Sequence, residues 1–338
     1  MKKTLLVVLI IAMAMGTVFA QGTKEDASVK GEKQIVILGK SMGNGFFDAC
    51  FKGSEEAAKE LGGIKTTYMA PPQATAEGQI EIIETLIAQR VSGIAISAND
   101  ADALIPVAKK AMAAGIKVIS FDSGINAGGR IVDLLPSNAE LIGRQQIQLA
   151  AELTGYTGEI AVLSASAQAT NQNLWIEWMK KEITDAKYSK MKLVEVVYGD
   201  DAPDKSYREA VSLMKKYPKL QAIICPTTVG LLATAQAVKD AGKVGVVEVT
   251  GLGLPSEMKG YILDDTCRQM ALWNPIDLGY TSTYILNALI DGTTKAAVGD
   301  VIPAGRMKSV TVVDNGLIYM STPYVFNKGN IEQYAAIF

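Results

Sequence analysis

From Gln34 to Gly39 the chain is a short, almost unbroken apolar run that ends at Lys40 and a pair of nearby glycines. A run this short, closed by turn residues, is the pattern of a strand buried on both faces. After a turn containing Gly43 and Gly45 the period lengthens. Phe46, Cys50, Ala57 and Leu61 share one face of a helix expected over 46–61, and Gly62-Gly63 ends it. The same alternation continues with strand 65–69, helix 74–90, strand 93–97, helix 101–114 and strand 117–121. Strands that alternate with helices imply a parallel sheet with helices on both faces.

The pattern then restarts. After an apolar stretch at 131–135 come helix 138–153, strand 159–164, helix 171–186, strand 191–198, helix 206–217, strand 222–225, helix 230–241 and strand 245–250. Residues 86–115 can be laid on 213–242 without a gap. Leu86/Leu213, Ala95/Ala222, Ile96/Ile223, Leu104/Leu231, Ala108/Ala235, Ala114/Ala241 and Gly115/Gly242 are identical. The matches fall at core-type positions, so both halves use one βαβ unit. The expected fold class is α/β, with two similar doubly wound parallel-sheet lobes. In such sheets ligands bind outside the carboxyl ends of the strands. Candidate site residues therefore lie at 40–47, 70–72, 98–100, 122–124, 166–173, 226–228, 251–254 and 273–274.

The first residues stand apart from this pattern. Lys2 and Lys3 precede an apolar stretch from Leu5 to Met15, and Val18-Phe19-Ala20 supplies small residues at the −3 and −1 positions. This is the pattern of a secretory signal peptide over 1–20, cleaved after Ala20, and the apolar run is too short to span a membrane. Residues 21–32 read as a flexible polar leader. The chain has 33 basic and 35 acidic residues, and removing Lys2 and Lys3 leaves 31 against 35. A mildly acidic exported protein is a poor nucleic-acid binder. Cys50, Cys225 and Cys267 are far apart and each sits in an apolar setting, so they read as buried thiols rather than a disulfide framework or a zinc site.

The chain contains no histidine, which removes Ser-His-Asp and Cys-His catalysis and His-based metal sites. That decides one motif. Gly39-Lys40-Ser41-Met42-Gly43 has the form and the strand-to-helix context of a hydrolase nucleophile elbow, but Ser41 has no histidine to serve as its base. Gly43-Asn44-Gly45 begins a dinucleotide fingerprint, yet Asp48 stands where its third glycine belongs. Asp122, directly after a buried strand, can accept two hydroxyls of one sugar or cap a turn with Ser123 and Gly124. Asp100 reads as a helix N-cap. Asn171, Gln172 and Asn173 supply more amides than a helix cap needs, which suits hydroxyl recognition. Phe46, Phe47, Trp175 and Trp273 could present faces to a sugar ring. Trp175 could equally be core, and Trp178 reads as core.

Taken together, Asn44-Gly45-Phe46-Phe47 after the first strand, the export signal and the two βα lobes resemble the type I periplasmic sugar-binding proteins of ABC importers. The similarity covers essentially the whole mature chain. Residues 40–47, 97–100, 121–124, 170–175, 226–230, 250–258 and 272–279 most resemble the rhamnose-binding branch. The autoinducer-2 branch shares Lys40, Asp122, Gln172 and Pro226 but usually has Asp in place of Asn171 and Ala in place of Thr228. The ribose branch usually has arginines where this chain has Ser123 and, approximately, Asn173.

The resemblance implies a hinge crossed three times. Its N-terminal lobe would comprise 33–124 plus 275–304, and its C-terminal lobe 125–274 plus 305–338. It also implies a ligand site of Lys40, Asn44, Phe46, Phe47, Asn99, Asp122, Asn171, Gln172, Asn173, Pro226, Thr228, Leu254, Trp273 and Asn274. The expected function is non-enzymatic capture of a monosaccharide, L-rhamnose, for an ABC permease and its ATPase. The protein would act as a periplasmic monomer without cofactor or metal. The alternatives are an autoinducer-2 receptor, a secreted hydrolase using Ser41, and a sugar-responsive transcription regulator, which would need an N-terminal helix-turn-helix where this chain has its export signal.

Overall fold

The computed structural model describes residues 31–338, and the expected signal peptide and most of the leader lie outside them. In chain order the elements are β1 (Lys33–Leu38), α1 (Gly45–Leu61), β2 (Ile64–Met69), α2 (Ala76–Gln89), β3 (Gly93–Ile96), α3 (Ile105–Ala113), β4 (Lys117–Phe121) and β5 (Asp133–Leu135). There follow α4 (Ala139–Thr154), β6 (Gly158–Ser164), α5 (Thr170–Glu182), β7 (Met191–Tyr198), α6 (Pro203–Lys216), β8 (Leu220–Cys225), α7 (Thr228–Asp240), β9 (Glu248–Gly251), α8 (Pro255–Leu263) and β10 (Gln269–Leu272). The chain ends with α9 (Pro275–Asp291), β11 (Val301–Pro303), β12 (Ser309–Thr311), β13 (Leu317–Tyr319), β14 (Tyr324–Asn327) and α10 (Ile331–Ala335).

Two parallel sheets organise the molecule, ordered β13-β5-β4-β3-β1-β2 and β7-β6-β8-β9. The run β2-β1-β3-β4 of the first repeats as β7-β6-β8-β9 in the second. The gapless match of 86–115 on 213–242 lays β3 on β8 and α3 on α7, so the internal similarity is the same unit built twice. Strand β1 shows why such sheets need both faces covered. Val36 and Leu38 pack with Ile83, Leu86 and Val107 on the α2/α3 side, while Ile35 and Ile37 join Phe47 and Cys50 on the other.

Helix α9 returns to the first sheet and lies against α1 at unusually close range. A Cβ on Gly53 would fall 1.8 Å from the Ile276 carbonyl oxygen, and one on Gly279 would fall 1.7 Å from that of Cys50. Ser54 and Thr283 hydrogen-bond at 2.7 Å across the same contact. The chain therefore leaves the first sheet for the second at 136–138, returns at 273–274 after β10, and leaves again at 320–323, where β13 gives way to β14. Strands β14 and β10 form an antiparallel pair that adjoins the second sheet through the Leu252–Ala271 bridge.

Several expectations change. Strands β5 and β13 hydrogen-bond into the first sheet, so that sheet extends beyond the ranges 33–124 and 275–304. Short edge strands of three residues carry too little pattern to reveal their sheet. The expected helix 101–114 starts only at Ile105, because Asp100 Oδ1 accepts the amides of Asp102 and Ala103 and holds a preceding turn. The expected helix 171–186 stops at Glu182. Trp178 is half-buried under a cation rather than in the core, with Lys181 Nζ 4.0 Å from its ring centre. All three cysteines are free and buried.

Candidate functional site

Both sheets present the carboxyl ends of their strands to one cleft, and most of its residues lie on the segments that follow those strands. From the first sheet come Lys40 after β1, Asn44, Phe46 and Phe47 at the start of α1, and Asp122 after β4. From the second come Asn171, Gln172 and Trp175 on α5, Asp201 after β7, Pro226 to Thr228 after β8 and Leu252 after β9, and from the adjoining β10–β14 pair come Leu272 and Trp273 at the end of β10. The cleft spans about 370 Å³ of empty space, part of it open to solvent. Two hydrogen bonds cross it: Lys40 Nζ donates to Asn171 Oδ1 at 3.0 Å, and Thr228 Oγ1 donates to Asn44 Oδ1 at 3.4 Å.

Local structure aims these groups. Asn44 caps α1, its Oδ1 accepting the Phe46 amide. Asp122 adopts the left-handed backbone region at φ 60°, strain of the kind that persists where the surrounding structure holds a functional side chain. Its Oδ2 accepts from Ser97 Oγ at 2.7 Å. Gln172 Oε1 is occupied by Ser164 Oγ and the Ala165 amide, which turns its NH₂ group away from them. Phe46 meets Phe47 edge-on at 5.2 Å and Trp273 at 6.1 Å, and Trp175 lies 5.8 Å from Trp273. The Trp273 indole N–H is buried with no acceptor.

Burial lowers the Lys40 pKa, opposed by the carboxylates of Asp122 and Asp201. Burial raises Asp122, opposed by Lys40 and the Ser97 hydroxyl. Asp201 is likewise raised by burial, against its hydrogen bond from Thr227 and the nearby Lys40. One cation faces two carboxylates, so the cleft disfavours anionic ligands. Ser41 Oγ makes no hydrogen bond among the described residues, so nothing there primes it as a nucleophile. Among those residues no group of three His, Cys, Asp or Glu could hold a metal ion, and no helix is long and apolar enough to cross a membrane.

The periplasmic binding protein domain family matches residues 35–294. The chain belongs to the periplasmic binding protein family. Among solved structures it is similar to an ABC transporter solute binding protein from Clostridium phytofermentas with bound L-rhamnose. That pair is 37% identical with a TM-score of 0.86, over 90% of this chain and 99% of the other. It is also similar in fold to LsrB from Clostridium saccharobutylicum in complex with AI-2, at 23% identity and TM-score 0.85 over 89% and 99% of the two chains. Among curated proteins it is 26% identical to the D-allose-binding periplasmic protein of Escherichia coli (strain K12), over 90% of this chain and 96% of the relative. This periplasmic binding protein is thus a type I sugar-binding component of an ABC transporter, in a family of non-enzymatic solute receptors with a periplasmic location.

Within this periplasmic binding protein the expected residues separate into two groups. Lys40, Asn44, Phe46, Phe47, Asp122, Asn171, Gln172, Pro226, Thr228 and Trp273 line the cleft. The other four do not. Asn99 donates to the Lys40 and Thr75 carbonyls, making it a strut beneath Lys40. Asn173 donates to the Ala167 carbonyl at 2.7 Å on the outer side of its loop. Leu254 is buried at the start of α8, facing Gly45. Asn274 caps α9 and donates to Asp277. Asn173 and Asn274, each beside a helix start, are taken up by local structure, whereas Asn99 and Leu254 are held by segments distant in sequence.

Sequence reasoning missed Asp201 as a site residue and left Trp175 undecided. Asp201 follows β7 as Asp122 follows β4, so its post-strand position was the available signal. The Gly199-Asp200-Asp201 run reads as an ordinary acidic turn, which hid it. Trp175 lies four residues beyond Asn171 on the same helix, and hence on the same face.

Proposed function

We propose that this protein captures a neutral monosaccharide, L-rhamnose, between two closing lobes and delivers it to an ABC permease and its ATPase, acting as a periplasmic monomer released by cleavage after Ala20. In this reading the first lobe comprises 33–136 plus 275–319, and the second comprises 137–274 plus 320–338. The observation that carries it is a cleft in which Lys40, Asp122, Asn171 and Gln172 face an aromatic wall of Phe46, Trp175 and Trp273. A deoxyhexose has several hydroxyls and one methyl group. It therefore needs donors and acceptors on one side and an apolar surface on the other. The relative that is 37% identical carries L-rhamnose, which supports the choice. Asn171 and Thr228 differ from the residues usual in the autoinducer-2 branch, which argues against that ligand.

Calorimetric titration of the mature protein with L-rhamnose, beside D-allose, D-ribose and D-apiose, tests the proposal. The expected result is rhamnose binding in the micromolar range or tighter, about −8 kcal/mol, with the other sugars weaker. No heat and no thermal shift with millimolar L-rhamnose would overturn the ligand assignment.

A further inference from the structure

Beside the cleft, on its hinge side, lies a second and larger chamber with about 790 Å³ of empty space, part of it open to solvent. The two are neighbours in the strict sense, since Asp122, Asn171 and Trp175 line both. A monosaccharide held by Asp122 and Asn171 would therefore touch residues that also bound this chamber.

The chamber is built for more than apolar filling. On its inner side Asp133 is 5% exposed, and its Oδ1 is taken by Ser120 Oγ at 2.8 Å. Arg130 Nε stands 3.8 Å from Asp133 Oδ2 and donates to the Ile125 carbonyl at 2.6 Å. Ser137, in the hinge segment itself, is 3% exposed, and its hydroxyl has no hydrogen-bond partner. The outer rim is apolar: Leu174 is 44% exposed and Tyr319 42% exposed. An inner wall carrying the Arg130 guanidinium beside Asp133 and an outer wall of aliphatic and aromatic surface suits a pyranose ring, with one hydroxyl-bearing edge and a C–H face.

We propose that this chamber is a second subsite for a sugar ring joined to the first, so that the protein binds L-rhamnose carrying an O-linked second pyranose as well as the free sugar. This rests on the rhamnose reading above. Closure of the lobes need not expel the second ring, because the chamber remains in a structure whose lobes already touch through Lys40 and Asn171. Its exposed rim at Leu174 and Tyr319 leaves room for the ring's far end to meet solvent.

The test titrates the mature protein with L-rhamnose and with disaccharides in which L-rhamnose carries a second L-rhamnose at O1, O2, O3 or O4. The expected result is that at least one linkage binds within about tenfold of free rhamnose, or tighter. Filling the chamber by Ala139→Trp or, on the rim, Leu174→Trp should weaken that disaccharide at least tenfold and leave free rhamnose within about twofold. The second variant keeps the test valid if the first fails to fold. Rhamnose binding with every disaccharide rejected would overturn the subsite, as would equal losses for both ligands in the filled variants. Failure of L-rhamnose itself in the unaltered protein would overturn the proposed function and this subsite with it.

Discussion

Lys40 and Asp122 face one another in a site without histidine, and each is shifted by burial toward its neutral form. A sugar hydroxyl needs Asp122 ionised as an acceptor and Lys40 protonated as a donor. Affinity should therefore fall as pH drops through the raised Asp122 pKa, and fall again as pH rises through the lowered Lys40 pKa. Between them affinity passes through a plateau. Calorimetry as a function of pH checks it, and affinity that climbs toward either the acid or the alkaline extreme would contradict it. Asp122→Asn and Lys40→Met should each weaken rhamnose binding by about 10- to 100-fold, the worth of one hydrogen bond to a charged group. Asn99→Ala should weaken binding less, since Asn99 supports the Lys40 loop without lining the cleft.

Helix contacts carry the next set of consequences. Glu182, at the end of α5, is buried, which by itself would raise its pKa. Hydrogen bonds from Tyr188, Arg144, Gln148 and Lys187 outweigh that and bring it down to about 2. Because the ordinary value is 4.5, this clamp between α4 and α5 contributes stability above that pH and loses it as pH falls toward 2. Glu182→Gln should lower the unfolding free energy by about 2 kcal/mol at neutral pH, after allowing for the exposure of Arg144 and Lys187. Urea titrations should show the gap narrowing at about pH 3. The α1–α9 contact is steric instead. Gly279→Ala would place a methyl against the Cys50 carbonyl and force the helices apart, costing about 1–3 kcal/mol with no pH dependence, as the same titrations would show.

Between the lobes, Gly45 on α1 faces Glu257 and Leu254 on the other side of the cleft, with Glu257 Oε1 2.6 Å from where a Cβ would lie. A small residue there lets the two sides meet, so in the proposed closure it would act on the motion rather than on the ligand. Gly45→Phe should act as a wedge. Rhamnose affinity should fall at least tenfold, the melting temperature of the ligand-free protein should hardly change, and small-angle scattering should show a more open molecule in the presence of sugar. A large drop in the ligand-free melting temperature would instead mean that the substitution damages the first lobe.

Alternation of short apolar runs with helical patterns was enough to read two doubly wound lobes, because period and run length are local properties of the chain. The placement of Lys40, Asp122, Asn171 and Trp273 was legible for a related reason: in this class of sheet the ends of strands are where ligands bind. The folded molecule alone separates those that face the cleft from Asn99, Asn173 and Asn274, whose amides are taken by nearby backbone or side-chain groups. An amide has the same composition whether it caps a helix or meets a sugar, and for Asn99 the partners, the Lys40 and Thr75 carbonyls, are distant in sequence. The same holds for β5 and β13, three-residue strands whose sheet is set by long-range pairing, and for Asp201, which a turn-like sequence concealed. The hinge-side chamber is the extreme case. Its walls come from segments on both sides of a chain crossing, so only packing brings Ser137, Leu174 and Tyr319 to one space.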